Sequence, residues 1–324
     1  MKILITGAFG SLGLNVLDYL LKSDHNITCL VRDTRKSKRL AKKFKDDINV
    51  VYCDIRNYNE ISEAVKNQDI VLHFAAIVPP RFNYETLDYS RGVNVVGTSN
   101  VVKAIEKQSN STALVFPSSV AVFGDVRDRG VCVLAPDEPT IPNEDDIYAQ
   151  QKVEAELLVK NSDLKWSIFR FGFMPNVSSL KFDPMMFDVP LDTNMEIIHA
   201  KDAALAIVNA LKKPAIWGKI LHIAGGENCR LTYKEFVGGM LDAMGIDQLP
   251  DRAFGNSDFH CAFFDTDYSQ QLLDYQNHSY NDLINEMKKN AGFIRILARI
   301  FHPLVKLFLL SKSPYYREIE KNKK

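Results

Sequence analysis

The chain lacks a surplus of either charge, a paired set of cysteines and an apolar run long enough to cross a bilayer. Lys+Arg and Asp+Glu each number 40 among 324 residues, so no overall field draws the protein to nucleic acid, and none is expected as a partner. The five cysteines (Cys29, Cys53, Cys132, Cys229 and Cys261) are odd in number and share no ligand-like spacing. That argues against a disulfide framework, suggests no metal site, and suits a reducing compartment. The N-terminal apolar run is only a strand long and enters a glycine turn directly. No signal peptide is therefore expected, and a cytoplasmic location is the default. With 46% hydrophobic and 25% charged residues, the composition is that of an ordinary globular protein. Its length suffices for one large α/β domain or two smaller ones.

What is present is organised around Met1 to Gly13. Lys2-Ile3-Leu4-Ile5 reads as a buried strand and breaks into Thr6-Gly7-Ala8-Phe9-Gly10-Ser11-Leu12-Gly13. Leu14, Leu17, Tyr19, Leu20 and Leu21 then recur at helical spacing. Strand, glycine turn and helix in that order form the context of a dinucleotide site. Gly7 permits the tight turn, Gly10 lets backbone approach a pyrophosphate, and Gly13 lets the helix lie against the strand. The free N–H groups of the first helical turn face the phosphates.

The end of the second strand, Ile27 to Val31, bears on the cofactor. An acid there bonds the ribose 2′-hydroxyl of NAD, and a base accepts the 2′-phosphate of NADP. Arg32 follows Val31, with Arg35, Lys36, Lys38 and Arg39 beyond it and Asp33 the lone acid among them. Most of these lysines read as a solvated helix face, but Arg32 sits at the strand terminus. NADP is the expected cofactor, with NAD as the alternative.

Further strands at Asn49–Cys53, Asp69–Phe74 and Ala113–Phe116 alternate with helical stretches such as Asn59 to Lys66, a pattern that implies parallel strands with right-handed crossovers. Ala75 and Ala76 at a strand end leave room for a flat ring. His73, inside its strand, reads as a packing histidine. Ser118-Ser119 close the fifth strand, and a proline- and acid-rich stretch from Arg127 to Asp146 leads to Tyr148 and Lys152 on one helix face. Residues four apart on a helix are neighbours. A free phenol has a pKa near 10, and a neighbouring ammonium favours phenolate. With the glycine turn upstream, Ser119, Tyr148 and Lys152 read as the chemical centre.

The whole series resembles an extended short-chain dehydrogenase/reductase, the NAD(P)-dependent epimerase/dehydratase family, over about residues 1 to 275. The stations are Thr6-Gly7-x-x-Gly10-x-x-Gly13, Asp54-Ile55, His73-Phe74-Ala75-Ala76, Asn94-Val95-x-Gly97-Thr98, Ser118-Ser119, Tyr148-x-x-x-Lys152, Arg170-Phe171-Gly172 and Ile198-His199-x-x-Asp202. The resemblance implies a Rossmann-type doubly wound parallel sheet from 1–172 with 197–223. It also implies a smaller substrate region from 173–196 with 224–290, followed by a tail, 291–324. Tyr148 would be the acid/base, Lys152 would hold the nicotinamide ribose and Ser119 would orient the substrate. Asp54 would meet the adenine and Phe171 the carboxamide. Gly7, Phe9, Gly10, Ser11, Leu12, Gly13, Arg32, Ile55, Phe74, Ala75, Ala76, Asn94 and Ser118 complete the expected cofactor set, and a homodimer is the expected assembly.

Departures from the family narrow the chemistry. Val120-Ala121 stand where sugar dehydratases carry an acidic pair, so elimination of water is not expected. Between Phe171 and Asn290 only Arg230 and Arg252 could clamp a diphosphate bidentately. Met174, Phe182, Met185, Met186 and Phe187 make the first substrate segment apolar, as core or as a greasy pocket. The leading expectation is an oxidoreductase acting on a carbonyl or hydroxyl of a fairly apolar small molecule. A nucleotide-sugar epimerase with the same Ser/Tyr/Lys set is the alternative, and an NADP-sensing scaffold without turnover the third. In the tail, Arg295, Arg299, His302 and Lys306 fall within about 60° of one another on a helix, and apolar residues cover the rest. A charge every turn disfavours a span. The tail therefore either packs on protein or lies in a membrane interface, with Lys312, Arg317, Lys321, Lys323 and Lys324 near lipid phosphates.

Overall fold

The computed structural model describes residues 1–108, 111–177 and 183–321. Phe182, Lys323, Lys324 and the side chain of Lys321 lie outside the described residues. The chain begins with β1 (Lys2–Thr6), α1 (Ser11–Leu20), β2 (Asn26–Val31), α2 (Arg35–Ala41), β3 (Asn49–Tyr52), α3 (Tyr58–Ala64) and β4 (Ile70–His73). It continues with α4 (Leu87–Arg91), α5 (Gly97–Glu106), β5 (Ala113–Ser119), β6 (Val133–Leu134), α6 (Ile147–Lys160), β7 (Lys165–Phe171), β8 (Asn194–Glu196), α7 (Ala200–Ala210) and β9 (Lys219–Ile223). The last elements are β10 (Arg230–Thr232), α8 (Tyr233–Ala243), β11 (Phe263–Phe264), α9 (Asp267–Leu273), α10 (Tyr280–Ile300), α11 (His302–Leu310) and α12 (Pro314–Lys321).

Seven strands form one sheet in the order β3-β2-β1-β4-β5-β7-β9, every pairing parallel. Ile3, Leu4 and Ile5 are wholly buried, because helices cover both faces of a parallel sheet and its central strands read as continuous apolar runs. Leu17 and Leu20 of α1 pack on one face with Ala203 and Ile207 of α7. Ile61, Val101, Ile105 and Val159 pack on the other. The strand order reverses between β1 and β4, and the crevice of such a fold opens at the carboxyl ends there.

Two local features differ from the sequence reading. β5 runs three residues past its apolar stretch, through Pro117 to Ser119, paired with β7 as Pro117 to Phe169 and Ser119 to Phe171. Its pairing with β4 has already ended at Val115, so the proline interrupts no ladder on that side. The stretch before α5 is not an ordinary helix: Gly92–Val96 is a π-helical turn, of the kind that often marks a functional position.

A smaller layer lies beside the sheet. β8 pairs antiparallel with β10, so residues on either side of α7 and β9 form one ribbon. Phe187, Phe236, Leu241 and Ile284 share a core with Leu309 and Leu310. The tail is thus folded onto this layer, and α10 runs across residue 290, broken at Gly292 (φ 47°).

Behind the sheet's active end, Arg170 of β7 and Glu156 of α6 form a buried two-point ion pair, Nε–Oε1 3.0 Å and Nη2–Oε2 2.8 Å. Removing one member leaves a buried charge unpaired, at a cost of about 3–5 kcal/mol. Glu156→Leu should therefore lower the urea midpoint sharply, and Glu156→Leu/Arg170→Met should recover most of the loss. A double variant no more stable than the single one contradicts the assignment.

Candidate active site

The β1–α1 turn opens a cleft of about 300 Å³, lined by Gly7, Phe9, Gly10, Arg32, Asp54, Ile55, Phe74, Ala75 and Ala76 among others. Gly7 has φ +67°, and a Cβ there would lie 2.7 Å from the Ala75 nitrogen. A Cβ on Gly13 would meet the Ala8 carbonyl at 2.4 Å, so Gly13 is a packing glycine, and it is buried. Gly10 caps α1 without a side-chain hydrogen bond, leaving the Ser11, Leu12 and Gly13 amides as donors for an anion. A dinucleotide pyrophosphate fits this cradle. At its far end Arg32 Nη1 donates to Tyr89 Oη at 2.9 Å, while Lys36, Ser37 and Thr34 line the same wall. Asp33 is paired with Lys38 at 2.7 Å. Asp54 is held by Arg56 in a two-point contact, 2.9 and 2.6 Å, and those bonds keep its carboxyl below the ordinary range.

A buried hydrogen-bond chain links this cleft to α6. Thr6 Oγ1 accepts from the Ala75 amide at 3.1 Å and lies 2.7 Å from His73 Nδ1. Thr98 Oγ1 donates to the Asn94 carbonyl at 2.7 Å and lies 3.0 Å from His73 Nε2. With those two hydroxyls so committed, His73 carries its proton on Nε2 and accepts at Nδ1. Burial, then the Lys152 charge, push its pKa down to about 3, so the ring is a neutral strut, in line with the packing role read from the sequence. The Asn94 side chain holds Ile77 at both backbone groups, 2.7 and 3.0 Å, and donates to Gln151 Oε1 at 2.9 Å. Asn94 and Phe171 sit behind the cleft wall, Phe171 packed in the sheet core.

At the end of β5, Ser119 caps the turn Val120–Phe123, accepting from the Ala121 amide at 3.2 Å, and its hydroxyl is close enough to the Tyr148 phenol to act on its pKa. Asp146 caps α6 through the Ala149 amide and so sets the register that presents Tyr148 and Lys152. Phe82 lies edge-on over Tyr148, ring centres 5.7 Å apart. Lys152 Nζ donates to the Pro117 carbonyl at 2.8 Å and lies 4.8 Å from the Phe116 ring centre. The sequence reading had the ammonium lowering the phenol. Instead burial dominates: the Tyr148 pKa is raised, with Ser119 only partly opposing. Burial lowers Lys152 to about 8. The lysine spends its hydrogen bond on Pro117 rather than on the phenol. Ser118 Oγ is buried and without a hydrogen-bond partner, a donor suited to a cofactor group at this end.

Residues that sequence reasoning missed include Tyr89, Lys36, Ser37, Ile77 and Arg81, all on the cleft wall. Ser37 had a local signal, since its amide completes the Thr34 cap. Tyr89 had none, because only the tertiary fold brings α4 to the end of β2. Of the two candidate diphosphate clamps, Arg230 is consumed by buried Glu196 at 2.9 Å and the Phe264 carbonyl at 2.6 Å. Arg252 stacks on Tyr316 at 4.9 Å. Met186 and Phe187 pack in the core, and Met185 contacts Asn83 beside Phe82.

A switch-point cleft with a glycine cradle, beside a Ser/Tyr/Lys set, defines a nicotinamide-dependent enzyme of the extended short-chain dehydrogenase/reductase type. The family model "NAD dependent epimerase/dehydratase family" matches residues 3–179, and the chain belongs to that family. It is 28% identical over 125 residues to UDP-glucose 4-epimerase of Mycoplasma pneumoniae, covering 38% of this chain and 37% of that one. It is 27% identical over 173 residues to the inactive mitochondrial L-threonine 3-dehydrogenase of Homo sapiens, covering 52% and 69%. UDP-glucuronic acid 4-epimerase of Bacillus cereus, solved with UDP-glucuronic acid and NAD, superposes with TM-score 0.73 at 19% identity over 92% of this chain and all of that one. The dTDP-glucose 4,6-dehydratase of Streptomyces venezuelae, solved with NAD, gives 0.73 at 21% over 90% and 98%.

The burial of Lys152 has a direct readout. One lysine side-chain resonance should titrate near pH 8, far below the ordinary value of about 10.4, and should vanish in Lys152→Met. Lysines that all titrate above 10 contradict the buried placement.

Proposed function

We propose that this chain is an NADP-dependent oxidoreductase that interconverts a carbonyl and a hydroxyl on a fairly apolar small molecule. The observation that carries the reading is the dry Ser119–Tyr148–Lys152 set beyond a cleft whose ribose end presents Arg32 and Lys36. The bound nicotinamide supplies the hydride acceptor or donor. Gly7, Gly10 and the first α1 amides hold the pyrophosphate, Arg32 with Lys36 and Ser37 the 2′-phosphate, and Lys152 the ribose next to the nicotinamide. Ser119 Oγ fixes the substrate oxygen beside the phenol. Because burial keeps Tyr148 protonated, its Oη is ready to donate to a carbonyl oxygen as negative charge develops there. In the opposite direction it must first lose that proton. Val120 and Ala121, buried and apolar, offer no acid or base for eliminating water.

A nucleotide-sugar epimerase is the second reading, favoured by the names of the relatives. Against it stands Arg230, tied to Glu196 rather than free for a diphosphate. An epimerase retains its nicotinamide through the cycle, so a protein that purifies with stoichiometric NAD and responds to a UDP-sugar supports that reading over ours.

Tyr148→Phe should lower kcat by at least about a hundredfold while NADP binding changes little. Turnover at the wild-type rate removes Tyr148 from the role. Arg32→Ala should weaken NADP by about 10–100-fold, the worth of one charged hydrogen bond, and leave NAD nearly unchanged. Equal losses for the two cofactors, or tighter NAD than NADP in the wild type, refute the NADP assignment.

A further inference from the structure

The helices that follow Gly292 are amphipathic in the inverted sense. Nine large apolar side chains between Phe293 and Phe308 are exposed, from 39% to 69%. At about 100° per residue they occupy one arc of about 160°. The opposite, polar side faces the protein. Arg299 reaches Asp242 at 3.9 Å and His302 reaches Asp247 at 3.0 Å, and Arg295 lies against Gly245. Ala298, Val305, Leu309 and Leu310 turn inward to the core. The sequence reading left open whether this tail packs on protein or lies at a membrane interface. In the structure two members of the stripe reach exposed carboxylates on the body, and the apolar arc is what remains outside.

A soluble chain gains nothing from turning its charges inward and its phenylalanines out, and patches of this size mark interaction surfaces. We propose that the outer face of α10 and α11 docks on an anionic lipid bilayer, lying in the interface rather than crossing it. No described helix is long and apolar enough to span a membrane. The charge pattern selects the occupant. Residues 291–317 contain five Lys or Arg and no Asp or Glu. Lys312 stands at the edge of the apolar arc without an ion pair among the described residues, over the Phe308 ring at 5.2 Å. Cations beside a buried apolar arc suit acyl chains below and lipid phosphates around them. A second copy is disfavoured, because a twofold contact sets each patch against its own like charges.

The test is sedimentation of the full chain with phosphatidylcholine vesicles, with and without phosphatidylglycerol. The variant is Phe293→Gln/Ile300→Gln/Leu304→Gln/Leu307→Gln, which alters exposed side chains and spares Leu309 and Leu310. Wild type should sediment with anionic vesicles, less so at high salt, and the variant should partition at least about tenfold less. Wild type remaining in the supernatant, or equal sedimentation of the two forms, overturns the proposal. So does a wild-type dimer that the substitutions convert to a monomer without any vesicle binding. Should the variant unfold, Leu304→Trp in the otherwise native chain decides: its emission shifts to the blue on anionic vesicles, and no shift overturns the proposal.

Discussion

One neutral imidazole between two threonine hydroxyls holds the working end of this sheet together. Burial makes a charged His73 prohibitive, and a buried donor or acceptor left unpaired costs about 1–3 kcal/mol. Both ring nitrogens must therefore be matched, and Thr6 and Thr98 match them with defined donor and acceptor roles. Thr98 can accept from the ring only because its own hydroxyl donates to the Asn94 carbonyl. Asn94 in turn fixes Ile77 and meets Gln151. Asn94 lies in the π-helical turn Gly92–Val96. Ala75, the cleft wall and the Gln151–Lys152 stretch of α6 are thereby placed relative to one another by a single chain of bonds.

The same dryness sets the electrostatics. Burial pulls Lys152 toward its neutral form and Tyr148 toward its protonated form. A preorganised low-dielectric site of this kind makes any charge introduced by a ligand count for more than it would in water. The buried Glu156–Arg170 pair lies one helical turn beyond Lys152, and its carboxylate is the one influence raising the lysine's pKa against burial.

How far the molecule is legible in its sequence follows from how local each signal is. The glycine turn, the Ser-Ser strand end and the Tyr/Lys spacing each lie within a few residues, and the structure brings them to one end of the sheet. The alternation of strands and helices fixed the parallel sheet for the same reason. Tyr89 and Ile77 were invisible because only strand order carries α4 and the post-β4 loop to the cleft. Arg230 was one of two candidate diphosphate clamps, and its bond to Glu196 was not legible because that partner lies on another strand, 34 residues away in sequence. The tail illustrates a different failure. Helical periodicity separated its basic and apolar sides correctly, but periodicity is silent on which side turns inward. In the structure Ala298, Val305, Leu309 and Leu310 are on the inward side, with Arg299 and His302 reaching Asp242 and Asp247.

Under the proposed function the cleft binds NADP, with its 2′-phosphate at Arg32 and its nicotinamide beside Ser118, Tyr148 and Lys152. The most direct measurement is a crystal structure of the complex with NADP. The account predicts pyrophosphate density on the Gly7–Gly10 turn and the first α1 amides, and the 2′-phosphate within hydrogen-bonding distance of Arg32. It also predicts Ser118 Oγ with a partner it lacks in the protein alone. Density for the dinucleotide elsewhere, or a 2′-phosphate directed to solvent away from Arg32, contradicts it.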